Sequence, residues 1–250
     1  MHQIHIQLDR LEAMGVRYAF HYQPAGQETF SRANCERFPS ASIIKVPILL
    51  AWLLLERAGE IDRGEVCDLD GEPQVQGAGF SWLLRARRLP FQDVLLMMIA
   101  LSDNLCTNLV IRRIGLERLN RIIQEELDLP GCSLERKLFD YEARARGQDN
   151  WISAGDCRRL YQRLAGLPGE QLAWAESILE VNQDDNLLKR GIPHDVLSFF
   201  HKTGSNEGVL HDWGYTRACQ VFLLTSQVKD DPAVVEVFGE LGRLTIGKRN

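Results

Sequence analysis

The stretch Phe38-Pro39-Ser40-Ala41-Ser42-Ile43-Ile44-Lys45-Val46-Pro47-Ile48-Leu49-Leu50-Ala51-Trp52-Leu53-Leu54-Leu55 runs from a short polar turn into an almost unbroken apolar segment. It predicts a long helix from Ser42 to about Ala58, closed by Gly59. Such a helix is apolar on every side and belongs at the centre of a core. A serine and a lysine stand at its entrance, three residues apart. On a helix that spacing puts hydroxyl and ammonium on one face, one turn from each other. With Pro39 ahead of it, Ser42 falls in the first turn, where unpaired N–H groups and the helix dipole favour developing negative charge. The apolar neighbours Ile43, Ile44, Val46 and Pro47 desolvate Lys45 and lower its pKa toward that of a usable base. Ser40 stands five residues before Lys45 and faces elsewhere. About one S-x-x-K is expected by chance in a chain of this size, so the motif needs company.

Outward from this helix the chain changes character twice. Toward the N-terminus, Ile4, Ile6, Leu8, Leu11 and Met14 suggest a helix ending at Gly15. Arg17 to Tyr22 and Thr29 to Arg32 then read as short strands joined by the Pro24-Ala25-Gly26 turn. From about Leu69 to Leu188 the periodicity is helical almost throughout, clearest at Phe91 to Ala100, Asn104 to Ile114, Leu116 to Leu127 and Ala154 to Leu164. Strand character returns at Val196 to His201 and Ala218 to Thr225, with a polar turn at Gly204 to Gly208. Pro232 to Leu241 is a final amphipathic helix. The expected fold class is α/β (α+β): one antiparallel sheet flanked by helices and built from both chain ends, carrying an all-α lobe. The expected organisation is a single catalytic domain over 1–250, with an α/β lobe from about 1–40 and 195–250 and a helical lobe from about 41–194. The cleft between the lobes is where chemistry belongs.

Two further motifs fall at the cleft. Ser102-Asp103-Asn104 lies at a break between two apolar helices, where a loop can project polar groups inward. Alone it reads more readily as a helix N-cap than as a catalytic motif. Lys202-Thr203-Gly204 ends the strand that begins at Val196. A lysine on a sheet edge commonly guards against aggregation, but Gly204 lets a substrate lie directly against the strand backbone. All three motifs, in this order, should occur on the order of once in several hundred such chains.

The composition excludes other classes. The 250 residues are 45% hydrophobic and 25% charged, with 20 glycines, 9 prolines and a net charge of -5. Neither nucleic acid nor an anionic membrane is an expected partner, and the basic pairs Arg112-Arg113 and Arg158-Arg159 read as solvated helix faces. The apolar run after Lys45 is too short to span a bilayer. Residues 1–30 lack the features of a signal peptide, so a cytoplasmic protein is the default, although a mature periplasmic or secreted fragment would look the same. The six cysteines form no C-x-x-C pair and are expected to be reduced and mostly buried.

With S-x-x-K, S-D-N and K-T-G in place, the chain resembles the class A β-lactamases and their penicillin-binding relatives. The separations are similar too, 60 residues from Ser42 to Ser102 and 100 from Ser102 to Lys202. So are the residues before Ser42, Thr107-Asn108-Leu109 after S-D-N, His201 before the lysine, and Gly208-Val209-Leu210-His211-Asp212 after the turn. The resemblance covers nearly the whole chain and implies a β-lactamase/transpeptidase-like fold.

It further implies that Ser42 attacks a carbonyl to form an acyl-enzyme, Lys45 activates it, and Ser102 relays a proton to the leaving nitrogen, held by Lys202. The N–H groups of Ser42 and Ser205 would form the oxyanion hole. Asn104 would bind the substrate's acylamide, while Thr203 and Ser205 bind its carboxylate beside Gly204. No metal or organic cofactor is implied. The partner is a small β-lactam or D-alanyl-peptide-like substrate, and a monomer is expected.

One departure stands out. Arg136 and Asp149 match the paired ends of the family's ω-loop, yet the position two beyond Arg136 is Leu138 where the family has the glutamate that activates the deacylating water. The loop is about two residues short; Asp140 first, or else Glu142, could swing into the role, the alternatives being that Asp140 caps or pairs within the loop and Glu142 is simply solvated. His211 and Asp212 are expected to be structural at the cleft floor. Phe80 and Trp82 precede the S-D-N helix, where relatives place an aromatic gatekeeper, and core packing is their expected role. Three readings therefore stand: a β-lactam hydrolase, a penicillin-binding D-alanyl peptidase or esterase that deacylates slowly, and a non-catalytic sensor.

Overall fold

The computed structural model describes residues 1–193 and 197–247. Its strands are β1 (Arg17–Pro24), β2 (Phe30–Ala33), β3 (Arg37–Pro39), β4 (Val66–Asp68), β5 (Arg88–Pro90), β6 (Trp151–Ser153), β7 (Phe200–Asn206), β8 (Val209–Tyr215) and β9 (Cys219–Ser226). Its α-helices are α1 (His2–Ala13), α2 (Lys45–Arg57), α3 (Phe91–Ala100), α4 (Asn104–Ile114), α5 (Leu116–Arg121), α6 (Tyr141–Ala145), α7 (Ala154–Ala165), α8 (Gly169–Glu180) and α9 (Asp231–Thr245).

Both chain ends build one antiparallel sheet in the order β2-β1-β9-β8-β7. β1 lies against β9 from Arg17 opposite Ser226 to Pro24 opposite Cys219. Successive side chains of a strand face opposite sides, and here both sides are covered. Tyr18, Phe20, Val221 and Leu223 pack with Leu8 and Leu11 of α1 and with Val237 and Phe238 of α9. Ala19, Phe222, Leu224 and Trp213 join the core of the helical body instead. That body surrounds α2, whose side chains are buried from Lys45 through Leu53. The sequence expectation of a terminal sheet with helices between its halves describes this architecture.

Several local expectations need correction. Ser42 does not lie in the long helix: a 3-10 turn, Ala41–Ile44, precedes α2. Ala41 sits at φ 44° and closes a tight turn. Pro47, lacking an N–H, fits only the first turn of the helix that follows. The strand expected from Val196 begins at Phe200, Val196 itself lying outside the described residues, and Lys202 is third in a strand of seven. β8 was hidden because six of its seven residues are buried, which erases any alternation. The stretch from Leu69 onward is not helical throughout, since β5 returns to pair with β4 and β6 pairs with β3.

The small β3–β6 ladder matters for position. It sets Phe38 opposite Ile152, and beyond it the Ser40 N–H donates to the Asn150 carbonyl at 2.7 Å. The turn carrying Ser42 is thereby tied to the end of the 136–149 loop.

Candidate active site

Three segments converge on a cleft of about 560 Å³. The 3-10 turn contributes Ser42, the break between α3 and α4 contributes Ser102 and Asn104, and β7 contributes Thr203 and Ser205. Gly204 makes the approach of β7 possible. A Cβ there would stand 3.0 Å from the Ser42 nitrogen and 3.2 Å from that of Ile43.

Lys45 is the hub. Its Nζ lies 3.1 Å from Ser42 Oγ, 3.0 Å from Ser102 Oγ, 2.6 Å from the Ser102 carbonyl and 3.0 Å from Asn104 Oδ1. Four oxygens surround a group that has at most three hydrogens. A neutral amine would donate to two of them and accept from a hydroxyl. Burial and then the nearby positive charge of Lys202 push the Lys45 pKa well below the ordinary lysine value, which favours that neutral form. The arrangement can therefore take a proton from one serine and pass one to the other.

Ser102 occupies the left-handed region at φ 55°, an uncommon place for a residue with a side chain. Its neighbour Asp103 does the holding. The Asp103 carboxylate caps α4 through the Cys106 N–H at 2.9 Å and accepts from the Ser81 hydroxyl at 2.7 Å and the Ser81 N–H at 2.9 Å. The cap of the S-D-N triplet is Asp103, and Ser102 and Asn104 line the cleft. Asn104 offers its oxygen to Lys45 and donates through Nδ2 to the Gln76 carbonyl at 3.1 Å.

Lys202 is fully buried and donates to the Thr203 carbonyl at 2.8 Å. Burial lowers its pKa to about 8, with the carboxylates of Asp184 and Asp212 working the other way. Behind it, His201 Nδ1 lies 3.0 Å from Asp212 Oδ1. Burial opposes the charged ring, but Asp212 and Asp185 outweigh it and raise the pKa of His201. His211 donates from Nε2 to the Pro39 carbonyl at 2.8 Å. Ser40 is fully buried, its hydroxyl turned to the Ala41 carbonyl.

The 136–149 loop closes the cleft on one side. Its ends are joined by Arg136 and Asp149, 2.6 Å apart, and the Asn150 side chain bonds both N–H and C=O of Arg136. Asn108 clamps Leu138 in the same fashion, accepting from its N–H at 2.8 Å and donating to its carbonyl at 3.0 Å. Leu138 lines the cleft. Asp140 and Glu142 do not. Asp140 caps α6 through the Ala143 N–H at 2.9 Å, and Glu142 is exposed. Among the described residues, the carboxylates that line the cleft are Asp149, already paired with Arg136, and Asp184.

Sequence reasoning missed Asp184, Arg144, Phe139 and Tyr141 among the lining residues. The last two carry a readable signal, a pair of aromatics flanking Asp140 in an otherwise polar loop. Phe80 departs from the core role expected of it and stands 48% exposed at the mouth, whereas Trp82 does pack against the core. Among the described residues no cluster of three or more His, Cys, Asp or Glu could hold a metal ion, and no helix is long and apolar enough to cross a membrane. All six cysteines are free, five of them buried.

Comparison with known proteins gives three results. The sequence profile described as "Beta-lactamase enzyme family" matches residues 9–248. No curated protein matches the chain. Among solved structures, a β-lactamase from Sphaerobacter thermophilus is 26% identical with a TM-score of 0.86, covering 96% of this chain and 94% of that one. A mutant PBP-A in acyl-enzyme complex with penicillin G is 21% identical (TM-score 0.83, 97% and 93% covered). An ancestral class A β-lactamase is 20% identical (TM-score 0.84, 98% and 99% covered).

Proposed function

The chain belongs to the β-lactamase enzyme family, and on that premise we propose that it is a serine hydrolase that opens β-lactam amides through an acyl-enzyme on Ser42. The observation that carries this reading is the placing of one buried, pKa-depressed amine, Lys45 Nζ, within hydrogen-bond reach of both Ser42 Oγ and Ser102 Oγ.

In the proposed reaction the Ser42 hydroxyl gives its proton to neutral Lys45 as Oγ attacks the lactam carbonyl carbon. The N–H groups of Ser42 and Ser205 stabilise the resulting oxyanion, each donor worth about 3 kcal/mol. The C–N bond then breaks, and the leaving nitrogen takes the Ser102 hydroxyl proton, which Lys45 replaces. Lys202, Thr203 and Ser205 hold the substrate carboxylate along β7, while Asn104 holds the acylamide opposite. Water finally cleaves the ester, releasing the acid and restoring Ser42.

The last step is where a second reading gains support. The cleft side of the loop presents Leu138 and a salt-bridged Asp149, with Asp140 used as a cap and Glu142 turned to solvent. We assign neither Asp140 nor Glu142 as the base. A site so furnished acylates well and deacylates slowly, as a penicillin-binding peptidase or esterase would.

Intact-mass spectrometry over time, with a penicillin and a cephalosporin, separates these outcomes. An adduct that forms and clears supports the hydrolase; one that persists supports the second reading. A wild type that shows neither an adduct nor turnover of the β-lactam, or an adduct still present on Ser42→Ala, would overturn both.

A further inference from the structure

The arginines that line the cleft, Arg136 and Arg144, both come from the 136–149 loop, and Arg136 is already paired with Asp149. Among the described residues, no arginine lines the end formed by β7. The cation there is Lys202, whose Nζ donates to one protein acceptor among those residues, the Thr203 carbonyl. A charged ammonium has three hydrogens, so two remain for a bound carboxylate.

Asp184 stands beside this cation. It lines the cleft with Thr203, Ser205 and Asn206, and its charge works against burial to hold the pKa of Lys202 up. The next residue turns the other way: Asp185 pairs with Lys189 at 3.2 Å and lies 3.4 Å from His201 Nε2. The backbone fixes this division. The Asp184 N–H donates to Asn182 Oδ1 at 3.1 Å, and the buried Asn182 donates to the His201 carbonyl at 3.2 Å, one residue ahead of Lys202. Gln183 donates its N–H to the Ala100 carbonyl at 2.9 Å, two residues ahead of Ser102. The segment carrying Asp184 is thereby tied to both walls of the site. Its Oδ1 accepts from the Asn186 N–H at 3.3 Å and from Asn186 Nδ2 at 3.2 Å. Among the described residues Oδ2 meets no donor, and the group joins no ion pair.

A carboxylate held by Lys202 therefore comes to rest near a second negative charge that nothing else in the cleft offsets. Like charges at close range repel, and a cation on the substrate turns that repulsion into attraction. We propose that Asp184 is a specificity-determining residue, selecting substrates that carry a positive charge beside the carboxylate on the leaving-group side. Such a substrate is a zwitterion at this end, its carboxylate on Lys202, Thr203 and Ser205 and its ammonium or pyridinium on Asp184. This selection rests on the acyl-enzyme reading, which sets the carboxylate along β7. Asp184 makes and breaks no bond.

The test uses three cephalosporins that share one thienylacetyl side chain and differ beside the ring carboxylate, with a pyridiniummethyl, an acetoxymethyl or a carboxylate-bearing group. At pH 7 and low salt, second-order acylation constants should fall in that order, the cation leading the neutral group by about threefold or more. Asp184→Asn keeps an oxygen for Asn186 and should lower the cation-to-neutral ratio by about the same factor. Raising salt from about 0.05 to 0.5 M should shrink the ratio in the wild type and leave the variant's unchanged. A ratio unmoved by Asp184→Asn, or an anionic group accepted as readily as the cation, would overturn the selection and leave the acyl-enzyme standing. Acylation by none of the three would bring down the acyl-enzyme reading and the selection with it. If Asp184→Asn fails to fold, Asp184→Ser and the salt response of the wild type decide, and a wild-type ratio indifferent to salt counts against the selection.

Discussion

His211 reaches from β8 to donate a hydrogen bond to the Pro39 carbonyl at 2.8 Å, three residues ahead of Ser42. Its Nδ1 accepts from the Thr225 N–H at 3.0 Å, which fixes the neutral tautomer. Protonation would give Nδ1 a hydrogen to place on the Leu210 carbonyl, 2.8 Å away, but would strip Thr225 of its acceptor. Burial accordingly lowers the pKa of His211 to about 4. A core histidine thus tethers the turn that presents the candidate nucleophile.

That tether makes stability depend on acid. Burial also lowers His21 to about 4, so both rings stay neutral in the folded state while an unfolded histidine takes a proton near pH 6.5. Between pH 6.5 and 4 the unfolded chain binds more protons, and stability falls as pH falls, by up to about 3 kcal/mol per ring. His201 works the other way: its raised pKa contributes stability below pH 6.5 that is lost as pH rises through the folded value. Urea midpoints at pH 7, 6 and 5 should decline, and His211→Gln should flatten the decline. Constant midpoints for the wild type would count against the neutral assignment.

Lys202 sets an alkaline limit on acylation. Its pKa of about 8 means that the positive charge assigned to the substrate carboxylate fades above that pH. The acylation rate for a carboxylate-bearing β-lactam should drop across an apparent pKa near 8, while Lys202→Arg, slower overall, should carry its rate to higher pH. Stopped-flow acylation from pH 6 to 10 reads this directly, and a wild-type profile flat to pH 10 would rule it out.

Removing the shared amine should affect acylation far more than folding. Lys45→Met keeps the stem in its apolar pocket and deletes the base, so acylation should slow by about 10²- to 10⁴-fold. Ser40→Ala, at a buried hydroxyl directed to the Ala41 carbonyl, should leave adduct formation nearly unchanged. The reverse pattern would reassign the nucleophile.

Leu138 is where deacylation can be tested. Asn108 fixes its backbone from both sides, so a substitution there changes the side chain without freeing the loop. Leu138→Glu should shorten the lifetime of a penicillin adduct by about 10²-fold or more, a general base supplying the missing step. Adduct half-lives by mass spectrometry decide it, and equal half-lives would place the hydrolytic water elsewhere.

Gly204 makes a steric prediction. The Cβ of Gly204→Ala would crowd the nitrogens of Ser42 and Ile43 and the Cβ of Ala41. A displacement of a few tenths of an ångström at the proposed oxyanion hole should cost about tenfold in acylation, with thermal midpoint little changed.

Much of this was legible in the residues themselves. The apolar run after Lys45 announced the central helix, and the β-rich ends announced the sheet. Three short motifs far apart in sequence marked the segments that meet at the cleft. What stayed hidden follows from physics a one-dimensional pattern does not carry. β8 is buried on both faces and shows no alternation, and the 3-10 turn depends on a positive φ at Ala41 that no residue type signals. Asp140 could not be told apart as cap or base until the Ala143 N–H was seen on it. The cleft role of Asp184 depends on a loop whose path only the packed fold defines.

The pairing of β1 with β9 has a consequence for how the protein is made. Arg17 waits for Ser226, so a chain emerging from the ribosome can assemble much of its helical body before the sheet has a partner for its first strand. Long-range pairing of this kind is slow, and Lys202 reaches Lys45 only when it is complete. A partial chain that lacks β7 would carry Ser42 and Lys45 without Lys202, whose charge adds to burial in depressing the pKa of that amine.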